Sequence, residues 1–104
     1  MTTDDILKIA HFIGLHDAEM GCRYVDGERV IYTTYYKGLP NVNEFDPVHD
    51  PADTCRVLEH IAKYYGRVEI CEGGTLVCIG AQAMAGGGDF AEALCAAVLE
   101  ILGK

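Results

Sequence analysis

Side chains that could catalyse or ligate are few in this chain, and they are scattered. There are five cysteines (Cys22, Cys55, Cys71, Cys78, Cys95), four histidines (His11, His16, His49, His60) and no serine. The lack of serine rules out serine-nucleophile chemistry. A thiol nucleophile needs a histidine within reach and a third group to orient it. Cys55 and His60 are the nearest such pair in helical sequence, but an i, i+5 spacing does not share a helical face. His49, Asp50, Asp53 and His60 are metal-ligand types. If they lie on or beside one helix, His49 and His60 stand about 15 Å apart at 1.5 Å per residue, too far to share an ion. His11, His16 and Asp17 are closer, but Gly14 intervenes and three ligand types without a fixed scaffold do not make a metal site. These histidines read as surface residues.

The cysteines are odd in number, form no CxxC and lie in apolar patterns. They read as small buried hydrophobes in a reducing compartment, with five free thiols and no disulfide or zinc. On one strand face Cys71 and Cys78 are expected to be diagonal neighbours about 7–8 Å apart, too far for an easy disulfide. The run Gly86-Gly87-Gly88 could cradle a phosphate at a helix start. Against that, the residue after it is Asp89, whose carboxylate would occupy the same amides. There is also no GK[ST] and no GxGxxG after a strand. A flexible connection is the simpler reading, and no cofactor or metal is expected.

One cluster remains. Between Gly38 and Cys55 stand four carboxylates, Glu44, Asp46, Asp50 and Asp53, and no lysine or arginine. They form either a solvated acidic loop, with Asp50 partly spent on capping a helix, or an acidic surface presented to a basic protein. In the second reading Glu44, Phe45, Asp46, Asp50 and Asp53 are the partner-binding residues. Phe45 and nearby tyrosines then serve as anchors, in a chain with six tyrosines.

The balance of the chain agrees with a protein partner. Eight basic and sixteen acidic residues leave a net charge of −8. That opposes direct binding to nucleic acid or to an anionic membrane surface. No apolar run reaches the ~18 residues of a membrane span, and the MTTDDILK start has no secretory pattern. A cytoplasmic protein is expected. At 104 residues, half of them hydrophobic, residues 1–104 read as one domain with its own core.

The elements that must position the acidic cluster come next. Residues 44–66 begin as a proline-punctuated loop and become the best-signalled helix. Asp50 is a good N-cap and Pro51 suits the first helical position. Cys55, Leu58, Ile61, Ala62 and Tyr65 make an apolar stripe, Glu59 reaches Lys63, and Gly66 can close the helix. Ahead of it, residues 3–13 read as a helix that Thr3 can cap and Gly14 can stop. Residues 21–38 read as a hairpin around Asp26-Gly27. A two-residue loop would put Cys22 opposite Ile31, and a three-residue loop would put it opposite Val30. That choice decides which face of the second strand is buried. Residues 38–49 read as irregular.

After the central helix, residues 67–80 read as a second hairpin. A Gly73-Gly74 turn pairs Cys71 with Leu76, Ile70 with Val77 and Val68 with Ile79. Residues 75–79 are then apolar on both sides, the mark of a central strand covered on both faces. Residues 80–88 read as a connection. A last helix follows, with Asp89 and Glu92 as a capping-box-like start and Phe90, Leu94, Val98, Ile101 and Leu102 as its stripe. The order α-β-β-α-β-β-α predicts a small three-layer α/β/α sandwich of the α+β kind around a mostly antiparallel four-stranded sheet.

The lead-in to the central helix (Phe45, Pro47, Asp50, Pro51, Ala52, Asp53), the Val57-Leu58-Glu59 that follows, and the last helix from Glu92 to Lys104 resemble the phage ABA sandwich domain family. These stretches cover about a third of the chain, and the order of the other elements agrees. Residues 15–38 match poorly, and tryptophan, frequent in the family, is missing here. The resemblance implies an α/β/α architecture and a phage origin, and it transfers no catalytic residue. The function expected is a non-enzymatic binding protein acting in the host cell on a basic host or phage protein. An anti-defence factor of the CRISPR-inhibitor kind is one form of it, and a homodimer is the expected assembly. The alternative is a small-ligand or nucleotide binder using the Gly-rich stretch.

Overall fold

The computed structural model describes residues 1–25, 27–33 and 43–103, except for the side chains of Cys22, Arg23, Val25, Tyr32 and Asn43. Asp26 of the expected turn, and Gly38, Pro40, Asn41, Tyr35 and Tyr36, lie outside the described residues. The described residues form three helices and two three-stranded antiparallel sheets, in the order α-β-β-β-α-β-β-β-α. By contact the chain divides into two units, Met1–Asp46 and Pro47–Lys104.

The first unit opens with α1 (Thr3–Phe12). Its N-cap is Thr2, one residue before the expected Thr3. Thr2 Oγ1 accepts the Asp5 amide at 3.3 Å, and Asp5 Oδ2 accepts the Thr2 amide at 3.0 Å, a reciprocal capping box. Thr3 is buried instead, donating its hydroxyl to Glu28 Oε2 at 2.8 Å and to the Arg29 carbonyl at 2.9 Å. At the other end Gly14, at φ +96°, donates its amide to the His11 carbonyl, and the Leu15 amide reaches Ala10. That paired closure satisfies carbonyls the last turn would leave open.

β1 (Glu19–Val25), β2 (Glu28–Thr33) and β3 (Asn43–Phe45) make the first sheet in that order. Near the turn, Val25 faces Glu28 and Tyr24 faces Arg29, the register of a two-residue loop. An irregularity between Met20 and Tyr24 then hands Ile31 to Met20, so Cys22 does not oppose it. The shift is by two residues, so side-chain parity survives and Ile31 and Thr33 both point inward at 1% exposure. Thr33 donates its hydroxyl to Asp17 Oδ1 at 2.7 Å, which satisfies the buried hydroxyl. β3 falls where an irregular segment was expected.

In the second unit, α2 (Pro51–Tyr64) starts as its sequence predicts, with the Ala52 amide donated to Asp50 Oδ1 at 3.0 Å. Its buried face differs from the expected stripe. Asp53, Thr54, Val57 and Ile61 are buried, whereas Cys55 and Ala62 are exposed. The face has turned by about one residue, or about 100° of helix. The Thr54 hydroxyl accounts for part of that, since it is turned inward to donate to the Pro47 carbonyl at 2.6 Å.

The second sheet runs β4 (Val68–Cys71), β5 (Leu76–Ile79), β6 (Ala83–Gly86). The β4–β5 register is the expected one, Cys71 with Leu76, Ile70 with Val77 and Val68 with Ile79. Gly73 and Gly74 hold φ of +69° and +98°, the left-handed values that a tight hairpin turn requires. β5 is central because β6 pairs its other edge, Ile79 with Ala83 and Cys78 with Met84. β6 corrects the reading of residues 80–88 as a connection. Together β3 and β6 replace the expected single four-stranded sheet by two smaller ones. Three strands lie before α2 and three after it, each set paired within itself.

α3 (Phe90–Leu102) packs on β5 and β6. Leu94, Cys95, Val98, Val77 and Ile79 are fully buried. The junction before α3 is close: a Cβ on Gly87 would sit 2.6 Å from the Ala93 nitrogen. Among the described residues, no helix is long and apolar enough to cross a membrane.

Candidate functional site

Glu44 and Phe45 lie on β3, an edge of the first sheet. Pairing sets Phe45 opposite Ile31 and Glu44 opposite Tyr32. Alternate side chains of a strand leave opposite faces. Phe45 goes inward and is 2% exposed, so Glu44, half-buried, leaves from the other face. Asp46, also half-buried, ends this unit. In the second unit Asp50 is half-buried and commits one carboxylate oxygen to the α2 cap. Asp53 is 1% exposed. It lies one turn before Val57 on the buried stripe, and that position withdraws it from solvent. Of the five residues expected to meet a partner, the structure leaves Glu44, Asp46 and Asp50 at the surface. It takes Phe45 and Asp53 inside.

The glycine-rich stretch has its amides occupied. Gly87 donates to the Thr75 carbonyl at 3.0 Å and Gly88 to Glu92 Oε2 at 2.8 Å. The Glu92 amide donates to Asp89 Oδ1 at 2.9 Å. Two carboxylates of the chain therefore sit where an anion would bind. Among the described residues, no group of three or more His, Cys, Asp or Glu could hold a metal ion. His60 packs its ring 4.8 Å from that of Tyr64, and burial, with Lys63 nearby, lowers its pKa below the ordinary 6.5.

The cysteines depart from the expected pattern of uniform burial. Cys95 is fully buried, Cys71 and Cys78 are half-buried and Cys55 is exposed. Cys71 and Cys78 share the face of the second sheet opposite Val77 and Ile79. Burial, then the Cys71 thiol and the Glu69 carboxylate, push the Cys78 thiol pKa up from its ordinary 9.0. Met84, 62% exposed, joins this face through β6. Sequence reasoning missed it because a small-residue stretch carries little strand signal. Compared with family models, with curated proteins and with solved structures, the chain gives no match.

Proposed function

We propose that this chain is a non-enzymatic, phage-encoded protein-binding module. It meets a basic host or phage protein through its acidic surface, with Glu44 and Asp46 as the contact residues. An anti-defence role in the host cytoplasm, occluding a host protein, is the form of this function we infer. The observation that carries the reading is the placement of Glu44. Its neighbour Phe45 is locked into the core, so the carboxylate rides on a paired strand and costs little ordering entropy on binding. The excess of acidic residues supports it, since a net charge of −8 attracts a basic partner and slows encounter with an acidic one. The resemblance of the α2 lead-in and the last helix to phage ABA sandwich domains supports the phage origin.

The test is charge reversal. Glu44→Lys with Asp46→Lys is compared with the wild type after the melting temperature of each has been measured. The same double variant should lose capture of the partner from bacterial lysate. Association of the wild type should slow as salt rises, because screening shortens the reach of the field. Wild-type capture by the double variant, at an unchanged melting temperature, would remove this surface. If reversal disturbs the fold, Glu44→Gln with Asp46→Asn removes the charge at nearly constant shape. Calorimetry against nucleotides should be silent.

A further inference from the structure

We propose that Cys71 and Cys78 form a two-thiol chelating site on the open face of the second sheet. The site suits a soft, thiophilic ligand that takes two sulfurs at once, the class represented by a trivalent arsenical. The register carries the first part of the argument. Cys71 pairs with Leu76 and Glu69 pairs with Cys78, so the two cysteines are diagonal neighbours on adjacent strands. They share a side-chain parity opposite to Val77 and Ile79, whose side chains are fully buried. Both thiols are half-buried, reachable from solvent yet held by a sheet.

The second part is the spacing of the two cysteines. Diagonal neighbours have Cα atoms about 7–8 Å apart. A direct disulfide tolerates at most ~7 Å and demands closely spaced Cβ atoms. A ligand atom bridging the two sulfurs spans a longer gap than an S–S bond, so the spacing favours a bridge over a disulfide. The Gly73-Gly74 turn fixes the register, so the two cysteines already share one face before the ligand arrives. Two sulfurs fall short of the four ligands of a structural zinc site.

The chemistry balances without an oxidant. An organoarsenic(III) oxide condenses with two thiols. Two As–S bonds form, the arsenic–oxygen bond breaks, and both thiol protons leave with that oxygen as one water. Arsenic stays trivalent and neither sulfur is oxidised.

The probe is phenylarsine oxide, added to the intact reduced protein. Intact mass should show one adduct at stoichiometric reagent. Thiol counting on the same sample should show two thiols lost for each arsenical bound. The adduct should resist a monothiol and be released by a dithiol. Cys71→Ser or Cys78→Ser should abolish the monothiol-resistant adduct, whereas Cys22→Ser and Cys55→Ser should keep it. Persistence of that adduct in both Cys71→Ser and Cys78→Ser would overturn the assignment, as would its absence from the wild type. If a serine variant fails to fold, the alanine variant replaces it. Peptide mapping of the wild-type adduct identifies the bridged pair without any variant, and an adduct that bridges another pair overturns the proposal.

Discussion

Asp5 shows how one side chain can set a pH dependence. Its carboxylate is held below the ordinary 3.8, chiefly by the backbone amide of Thr2; burial opposes this, and the Thr2 hydroxyl, Lys8 and the N-terminal ammonium add to the lowering. The unfolded chain therefore takes up this proton first as pH falls. The stabilisation is present above 3.8 and is lost as pH falls through the lower folded value. Asp5→Asn should destabilise the protein at neutral pH. In urea melts, its deficit relative to the wild type should shrink as pH drops below about 4. A deficit that stays constant with pH would mean that the carboxylate charge contributes nothing to the α1 cap.

At the scale of the element, α2 is the sharpest case. Val57 and Ile61 are fully buried and one turn apart, whereas Leu58 is half-buried. Val57→Ala and Ile61→Ala each remove buried methyl groups and leave a cavity. Ile61→Ala should cost about 2–5 kcal/mol, and Leu58→Ala should cost less. Asp50→Ala removes the cap at the Ala52 amide and should cost about 0.5–2 kcal/mol. Urea midpoints rank these variants. Equal losses at Leu58 and Ile61 would restore the stripe that the sequence pattern predicts and contradict the rotated face. A neutral Asp50→Ala would move the start of the helix.

For the whole molecule, the question is what becomes of the apolar side chains left in water. Tyr24, Tyr64, Ile70 and Met84 are each more than half exposed. Ile70 and Met84 lie on the second sheet, on opposite faces by register. Exposed apolar surface of this kind is often covered by assembly, and two-fold dimers are the commonest oligomer. We expect a homodimer, measured as twice the chain mass by light scattering at high protein concentration. A single monomer mass under those conditions rejects it. Met84→Asp and Tyr64→Asp then test separately which surface is covered.

Local chemistry was legible in the sequence alone. The Asp50–Pro51 start of α2, the Asp89–Glu92 cap of α3, the stop at Gly14 and the whole β4–β5 register could be read there. Each depends on residues a few positions apart and on backbone rules that neighbours do not override. The short strands β3 and β6 were decided by tertiary structure. Asn43–Phe45 and Ala83–Gly86 have little strand propensity of their own and form because a partner edge accepts their hydrogen bonds. The buried face of α2 was decided the same way, since Thr54 turns inward for a carbonyl seven residues back. So was the fate of the acidic cluster. In sequence Asp50 is already marked as the cap, whereas Glu44, Asp46 and Asp53 are equivalent carboxylates. Strand parity sends Glu44 away from the face that buries Phe45, and helix phase buries Asp53. Both outcomes depend on what lies across from the residue in space, which spacing along the chain does not encode.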